Sequence, residues 1–275
     1  MNTHLRKHLH TYPDNSSSEE YILESKHGLV TVDPEGGYVT SWKVKNSSSE
    51  FMDILYRGSA KKRTGIPILF PYFGKARHTK QHGFGRDSVW KVVESSHTSI
   101  QLKLISSHIS ADAKKEYPYS FEADLIITLH ENGTMDYILS VINRDTKDIP
   151  ISPGIHPYWD IAHEEKKNIA VPDLKDFDAA SVDWDKNPPD IAYPFEKKVD
   201  VHFPDRTIEI EDISPHNKKI RHLVVWSQPI DKPDYNFVCF EPVCGDNYTI
   251  DDNPILVSPQ KNWVMKLKFS VEFRK

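Results

Sequence analysis

The stretch KLKFSVEF, residues 266–273, indicates the fold class of this chain most clearly. Its apolar side chains recur at every second position: Leu267, Phe269, Val271 and Phe273. Successive side chains of a β-strand point to opposite faces. This period of two therefore predicts a strand with one face against a core and the other in water.

Further strand patterns follow one another along the chain. Short apolar or alternating runs lie at residues 29–32, 101–104 and 207–211. Residues 121–129 and 135–142 flank the pair Asn132-Gly133, and two strand patterns around Asn-Gly predict a β-hairpin. The sequence thus predicts many antiparallel strands joined by turns.

Helical patterns are scarce. Residues 107–116 predict one short helix, and the polar stretches 179–198 and 214–222 predict loops. An all-β protein of this size must close or stack its sheets to protect their edges. We therefore predict an all-β fold, a large antiparallel β-sandwich. Residues 1–20 are expected to form a loose lead-in, and residues 21–275 one domain.

Composition excludes several classes of protein. The 275 residues carry 35 Lys and Arg against 40 Asp and Glu, a net charge of −5, which argues against a dedicated nucleic-acid binder. No apolar run approaches the roughly 18 residues of a membrane span, and the N-terminus lacks the apolar centre of a signal peptide. A cytoplasmic protein is the expectation.

Cofactor and metal motifs are weak. The run Gly83-Phe84-Gly85 lacks the third glycine of a dinucleotide-binding loop, because Ser88 stands in its place. His78 and His82 have zinc-like spacing only on a helix, and the surrounding glycines favour a loop. Cys239 lies in an apolar run and reads as a small buried side chain. The sequence predicts no cofactor and no metal.

Three segments combine an ionisable residue with prolines, glycines and aromatic rings: residues 63–87 with His82, residues 153–159 with His156, and residues 237–242 with Glu241. Each residue alone is readily explained as a structural histidine or a surface carboxylate. Together the segments have the composition of a carbohydrate site, where rings pack on sugar C–H faces and charged groups bind hydroxyls.

These segments resemble blocks of the galactose mutarotase (aldose 1-epimerase) superfamily, which includes the hexose-6-phosphate mutarotases. Residues 65–86 resemble its Gly-Ile-Pro, Phe-Pro and His-Gly-Phe-Ala-Arg pattern, with Gly85 replacing alanine. Residues 154–159 resemble its Gly-Leu-His block with an aromatic pair, and residues 238–242 its Val-Cys-x-Glu-Pro block. The strand pattern from residue 21 onward fits the large β-sandwich of that family, often called a supersandwich.

The resemblance implies a role for each of the main residues. Glu241 falls on the catalytic base, His156 on the catalytic acid, and His82 on the second active-site histidine. Arg86 falls on the arginine of the His-Gly-Phe-Ala-Arg block. In the resembling hexose-6-phosphate mutarotases, arginines in the two blocks that hold Arg63 and Arg86 clasp the phosphate. Neutral-sugar relatives also carry an arginine in the second block, where Arg86 could instead pair with Asp87 or another carboxylate, so both kinds of substrate stay open.

Other substrate contacts are less well defined by the sequence. The aromatic residues expected to line the site are Phe70, Tyr72 and Trp159. The family often has an aspartate before an aromatic residue in the third quarter of the chain. Asp190 is the best candidate for this hydroxyl-binding carboxylate, and Asp205 remains an alternative.

The chemistry supports an isomerase that interconverts sugar anomers. A glutamate is ionised at neutral pH and can act as base, while a histidine has both protonation forms accessible near neutrality. The expected ligand is a free sugar or sugar phosphate. One alternative is a non-catalytic carbohydrate-binding module on the same fold. Another is a glycosidase, which needs two opposed carboxylates and has only Glu241 in a convincing block.

Overall fold

A computed structural model of the chain describes residues 5–274. Over these residues the chain forms twenty strands: β1 Arg6–Thr11, β2 Ser17–Glu24, β3 Gly28–Asp33, β4 Tyr38–Lys45, β5 Phe51–Asp53, β6 Ile68–Leu69, β7 Lys91–Ser95, β8 Ser99–Ile105, β9 Phe121–Leu129, β10 Met135–Asn143, β11 Ile149–Ile151, β12 Gly154–Ile155, β13 Tyr158–Asp160, β14 Asp190–Pro194, β15 Lys198–His202, β16 Arg206–Asp212, β17 His222–Trp226, β18 Phe237–Val243, β19 Ile255–Val257 and β20 Asn262–Phe273.

Two short α-helices interrupt the strands, α1 Ala111–Glu116 and α2 Thr249–Asp252. The hydroxyl of Ser110 caps α1 by accepting a hydrogen bond from the backbone N–H of Ala113 at 3.2 Å. Within residues 5–274, no helix is long and apolar enough to cross a bilayer.

The strands assemble into antiparallel sheets. A five-stranded sheet has the order β1-β2-β3-β4-β5, and a seven-stranded sheet the order β15-β16-β20-β10-β9-β8-β7. A third sheet has the order β14-β17-β18-β12-β6, with β13 also paired to β18. β11 and β19 form a separate pair. The all-β sandwich predicted from the sequence is confirmed.

The seven-stranded sheet packs against the two other large sheets. Phe269 of β20 contacts Trp42 of β4, with ring centroids 6.4 Å apart, and Trp159 of β13 at 5.9 Å. Phe70, just after β6, contacts Phe121 of β9 at 5.2 Å. All five rings are fully or almost fully buried, and burying each such side chain is worth about 1.5–3 kcal/mol. One continuous core therefore fixes how the site-bearing sheet lies on its neighbour.

Two predictions about irregular segments differ from the structure. Residues 6–11 and 17–20 belong to β1 and β2, although residues 1–20 are predicted as a loose lead-in; residues 1–4 lie outside the described range. β14 lies inside residues 179–198, predicted as loop. β1 is mostly polar and β14 is short with an exposed Ile191, so neither shows the alternation of apolar and polar residues that marks a strand. One domain from residue 21 onward stays a prediction.

Candidate active site

The alternation of β18 directs Glu241 away from the core. Val238 and Phe240 belong to the main core cluster, so Phe237, Cys239 and Glu241 point to the opposite face of the sheet. We call this opposite side the site face. Glu241 is nevertheless only 2% exposed.

Strand register extends the site face across four strands. Asp190 of β14 lies opposite Trp226 of β17, and Trp226 lies opposite Cys239 of β18. Cys239 in turn lies opposite Tyr158 of β13. Directly opposed residues of antiparallel strands share a face, so this row brings an exposed carboxylate and two aromatic rings beside Glu241.

His156 lies between β12 and β13 and contacts Glu241. Its Nε2 atom is 3.3 Å from Oε1 of Glu241, and both side chains are buried. The imidazole stacks on the ring of Tyr158, with centroids 4.7 Å apart and planes inclined by 11°. Its backbone N–H donates to the carbonyl of Pro67 at 3.1 Å. The imidazole is thus fixed from the backbone and from one ring face.

His82 approaches the pair from a loop with a left-handed backbone. It has φ +67°, and its ring centroid lies 6.0 Å from that of His156. Its Nδ1 atom accepts a hydrogen bond from the backbone N–H of Gly74 at 3.0 Å. An imidazole nitrogen that accepts carries no proton, so the proton of neutral His82 resides on Nε2. His82 is therefore arranged as a neutral hydrogen-bond donor.

Two of the predicted aromatic residues hold the His82 loop in place. The carbonyl of Phe70 accepts from the N–H groups of Phe84 and Gly85, at 2.9 and 2.8 Å. The hydroxyl of Tyr72 donates to the carbonyl of Lys80 at 2.6 Å. The side chain of Phe70 is fully buried and that of Tyr72 is 4% exposed, so both rings are engaged in packing.

The third predicted aromatic residue, Trp159, also lies in the core. It follows Tyr158 in β13, and strand alternation sends the two rings to opposite faces. From the sequence, Phe70 and Trp159 are expected to contact a sugar, but in the structure both side chains are fully buried. Tyr158 and Trp226 occupy the site face instead. Pairing with β18 distinguishes the two residues: Tyr158 lies opposite Cys239 on the site face, and Trp159 lies opposite Val238 on the core face.

Arg63 contacts both aromatic rings of the site face, Tyr158 and Trp226. Its guanidinium donates to the hydroxyl of Tyr158 at 3.1 Å and to Oε1 of Gln228 at 3.2 Å. It also lies over the ring of Trp226, 5.2 Å from the centroid. All of these partners are uncharged. Within the part of the chain that the structure describes, neither Arg63 nor Arg86 forms an ion pair with a carboxylate.

Burial dominates the electrostatics of the site. Burial raises the pKa of Glu241 well above its ordinary value, and Asp190 raises it further, while Arg86 opposes the shift. Burial lowers the pKa of His156 well below its ordinary value, assisted by His82, Arg86 and Arg63. Burial and Arg86 lower the pKa of His82 to about 3. An isolated charge is therefore unfavourable on any of these three side chains.

The two candidates for the hydroxyl-binding carboxylate have different surroundings. Asp190 is exposed on the site face and close enough to act on Glu241. Asp205 lies between β15 and β16 and pairs with Arg206 at 2.8 Å. The structure brings Asp190, and not Asp205, to the row of residues beside Glu241.

One cluster in the site has metal-binding residue types. His156, Cys239 and Glu241 each offer a ligand atom within 4.8 Å of the others. Burial raises the pKa of the Cys239 thiol well above its ordinary value, with a further contribution from Glu241, whereas a metal binds the thiolate. This donor set suits proton transfer better than metal binding, and the absence of a metal stays a prediction.

Comparison with known proteins identifies relatives of the whole fold. A sequence model of the aldose 1-epimerase family matches residues 19–229. A protein from Synechocystis sp. PCC 6803 is 24% identical, with 93% of this chain and 96% of that chain covered and a TM-score of 0.72. A galactose mutarotase related enzyme from Lactobacillus acidophilus is 20% identical, with 93% and 97% covered and a TM-score of 0.73. A galactose mutarotase-like protein from Clostridium acetobutylicum is 16% identical, with 99% and 100% covered and a TM-score of 0.75. At these identities the structural likeness carries the fold alone.

Proposed function

This chain belongs to the aldose 1-epimerase family, and from that premise we propose that it interconverts the α and β anomers of a hexose or a hexose 6-phosphate. The contact of 3.3 Å between His156 Nε2 and Glu241 Oε1 carries this proposal. A potential acid and a potential base thus lie side by side, near the aromatic rings of Tyr158 and Trp226, and aromatic rings suit a sugar ring. The reaction needs no cofactor. We also propose that the enzyme is cytoplasmic and has no nucleic-acid partner.

Ring opening requires two coupled proton transfers. Glu241 removes the proton of the hydroxyl on C1, and the electron pair left on that oxygen forms the carbonyl. The bond between C1 and the ring oxygen breaks, and His156 gives its proton to the ring oxygen. After rotation about the C1–C2 bond the aldehyde closes on its other face, and both protons return by the reverse path.

Burial of both groups favours the neutral form of the pair, which is the form reached when the sugar ring opens, over the charged form that starts the reaction. Before ring opening the pair is an imidazolium beside a carboxylate; after it, an imidazole beside a carboxylic acid. The pair has lost both of its charges while its total number of protons is unchanged. A buried environment disfavours isolated charges, so it lowers the free energy of the state that accompanies the open sugar.

The neighbouring groups then orient the sugar. We assign His82 Nε2–H to a hydrogen bond with a substrate oxygen, since its other nitrogen is engaged with Gly74. Arg86 supplies positive charge that opposes protonation of Glu241. The partly exposed Trp226 offers ring surface, with the buried Tyr158 packed against it, and the exposed Asp190 is assigned to a sugar hydroxyl.

Arg63 and Arg86 bear on the choice between a phosphorylated and a neutral substrate. Both side chains are half-buried and lack a carboxylate partner within residues 5–274. A guanidinium without a counter-charge is well suited to phosphate, which it can bind through two parallel hydrogen bonds. We therefore favour a hexose 6-phosphate over a neutral hexose.

Anomer exchange measured by NMR exchange spectroscopy tests the proposal. Glu241→Gln keeps the shape of the side chain and removes its basicity, so the exchange rate is expected to fall about 10²–10⁴-fold. His156→Asn is expected to lose more turnover than His82→Asn, because only His156 is assigned a proton transfer. Glu131→Gln, an exposed carboxylate in the β9–β10 turn, is the matched control.

The same measurement separates an enzyme from a binding module. If wild-type protein binds the sugar but exchanges its anomers no faster than buffer does, the chain is a carbohydrate-binding module. If Glu241→Gln is folded and retains most of the wild-type rate, Glu241 is not the base.

A further inference from the structure

A second cluster of ionisable side chains lies on the five-stranded sheet. His8 and His10 are two residues apart in β1, so their imidazoles project from the same face. Glu20 of β2 lies directly opposite His8 in the register of this strand pair. These three residues, which we call the β1–β2 cluster, belong to a different sheet from Glu241.

The donor atoms of the β1–β2 cluster are close together. His8, His10 and Glu20 each offer one ligand atom within 4.8 Å of the others, and Nε2 of His8 is 3.1 Å from Oε2 of Glu20. Glu20 is completely buried, yet its Oε1 has no hydrogen-bond partner within residues 5–274. Leaving a buried charged group partly unsatisfied is costly, so this oxygen indicates a missing partner.

The imidazoles remain accessible from solvent. The side chain of His8 is 40% exposed, and both histidines line an open groove of about 480 Å³ together with Arg57. Arg57 donates to Oε2 of Glu20, through two hydrogen bonds of 3.3 and 3.4 Å, and not to Oε1. Arg57 therefore leaves Glu20 Oε1 without a partner among residues 5–274, beside two imidazoles that line the groove.

We propose that His8, His10 and Glu20 form a binding site for a divalent transition metal such as Zn²⁺, separate from the active site. Two imidazoles and a carboxylate are preferred ligands of Zn²⁺, and three protein ligands leave a fourth position for solvent. Mg²⁺ prefers a shell of oxygen atoms and is not expected to bind.

The metal would add a bond between the first two strands. β1 ends the five-stranded sheet and is paired there with β2 alone. A ligand that binds only the folded state stabilises it, so bound Zn²⁺ should raise the melting temperature.

Zinc titration of the chelator-treated full chain tests the proposal. Binding is measured by competition with a chromophoric chelator, and stability by thermal unfolding with and without Zn²⁺. We expect wild type to bind Zn²⁺ and melt at a higher temperature, and Mg²⁺ to have no effect. His10→Ala should weaken binding by more than about 100-fold, since even outer-shell partners of a metal are worth about 10–100-fold.

Three further variants make the outcome decisive. Glu20→Gln should also weaken binding, and His10→Ala, at a partly exposed position, covers the case in which Glu20→Gln fails to fold. His108→Ala removes an exposed histidine elsewhere and should leave binding unchanged. Cys239→Ala should leave it unchanged as well. The proposal is overturned if wild type does not bind Zn²⁺, if His10→Ala binds as tightly as wild type, or if binding is lost only in Cys239→Ala, which would place the metal at Glu241.

Discussion

Glu241 and His156 are each surrounded by groups that disfavour a single charge, but together they retain one proton. Burial raises the pKa of Glu241 and lowers that of His156. The pair therefore gains a second proton only well below the ordinary histidine range. It loses its last proton only well above the ordinary glutamate range.

This coupling predicts a broad pH profile. We expect kcat/KM for anomer exchange to stay flat through neutrality. It should fall in acid below the ordinary histidine pKa of about 6.5, and in alkali above the raised pKa of the pair. The rate is measured against pH after subtraction of the buffer-catalysed rate at each point. An activity that rises through a single step near pH 6.5 would show an unperturbed histidine and contradict the coupling.

His82 links the same burial to stability. Its pKa is about 3 in the folded protein, because of burial and Arg86, against about 6.5 in an unfolded chain. The unfolded state therefore binds more protons between these values. The stabilising effect is complete above pH 6.5 and is lost as pH falls toward 3.

The His82→Asn variant tests this linkage. Between about pH 7 and 5, wild type should lose about 2 kcal/mol more of its free energy of unfolding than His82→Asn does. Asparagine tolerates the left-handed backbone of position 82, so the loop conformation is preserved. Urea unfolding at the two pH values measures the difference, with His108→Asn as the control. Equal losses in wild type and His82→Asn would mean that His82 titrates normally.

The loop that carries His82 depends on the glycine that follows it. Gly83 has φ +64°, and a Cβ atom there would lie 2.4 Å from the carbonyl oxygen of Phe70. That carbonyl accepts the two hydrogen bonds that hold residues 84 and 85. A side chain at position 83 would therefore disturb both the turn and its anchor.

Gly83→Ala is expected to reduce stability and turnover together. The strained backbone alone costs about 1–3 kcal/mol, and the clash with Phe70 adds to it. Gly37→Ala is the matched control: Gly37 also has φ +64°, but a Cβ there would meet only side-chain atoms, at 3.1 Å or more. Denaturant unfolding and anomer exchange measure both variants. If Gly37→Ala is as damaging as Gly83→Ala, the Phe70 contact is not what matters.

The sequence predicted those elements whose pattern is local. The hairpin of β9 and β10 follows from Asn132-Gly133, and β20 from its alternation. β1 and β14 are not predicted, because β1 is mostly polar and the short β14 carries an exposed Ile191, so neither alternates clearly. Trp159 was assigned to the site because composition identifies an aromatic residue without identifying its face. Face depends on register with β18, which no local pattern specifies.

At the scale of the whole molecule, net charge and local charge would act in opposite directions on the binding of a phosphorylated sugar. The chain carries a net charge of −5, so its overall field repels an anion. Arg63 and Arg86 provide local positive charge without a carboxylate partner within the described range. We propose that a preference for a hexose 6-phosphate would arise from these two side chains.

Arg63→Ala is therefore expected to remove a preference for glucose 6-phosphate over glucose. In wild type, kcat/KM for the phosphorylated sugar should exceed that for glucose and galactose, and should decline as salt is added. Arg77→Ala is the control, because Arg77 is exposed and pairs with Asp252 at 2.7 Å. Equal efficiency of wild type on all three sugars would leave a general aldose 1-epimerase.

Asp190 lies on an edge strand and Glu241 on an internal strand, so sequence changes near Asp190 disturb fewer neighbouring strands. β18 is paired on both sides, so an insertion there would shift several neighbours and Glu241, the proposed base. β14 ends its sheet, and a change in its length or register disturbs the pairing with β17 alone. In related sequences Asp190 can therefore be replaced while the proposed pair of Glu241 and His156 is kept. We expect closely related sequences to differ in sugar preference through β14 and to keep one chemistry through β18.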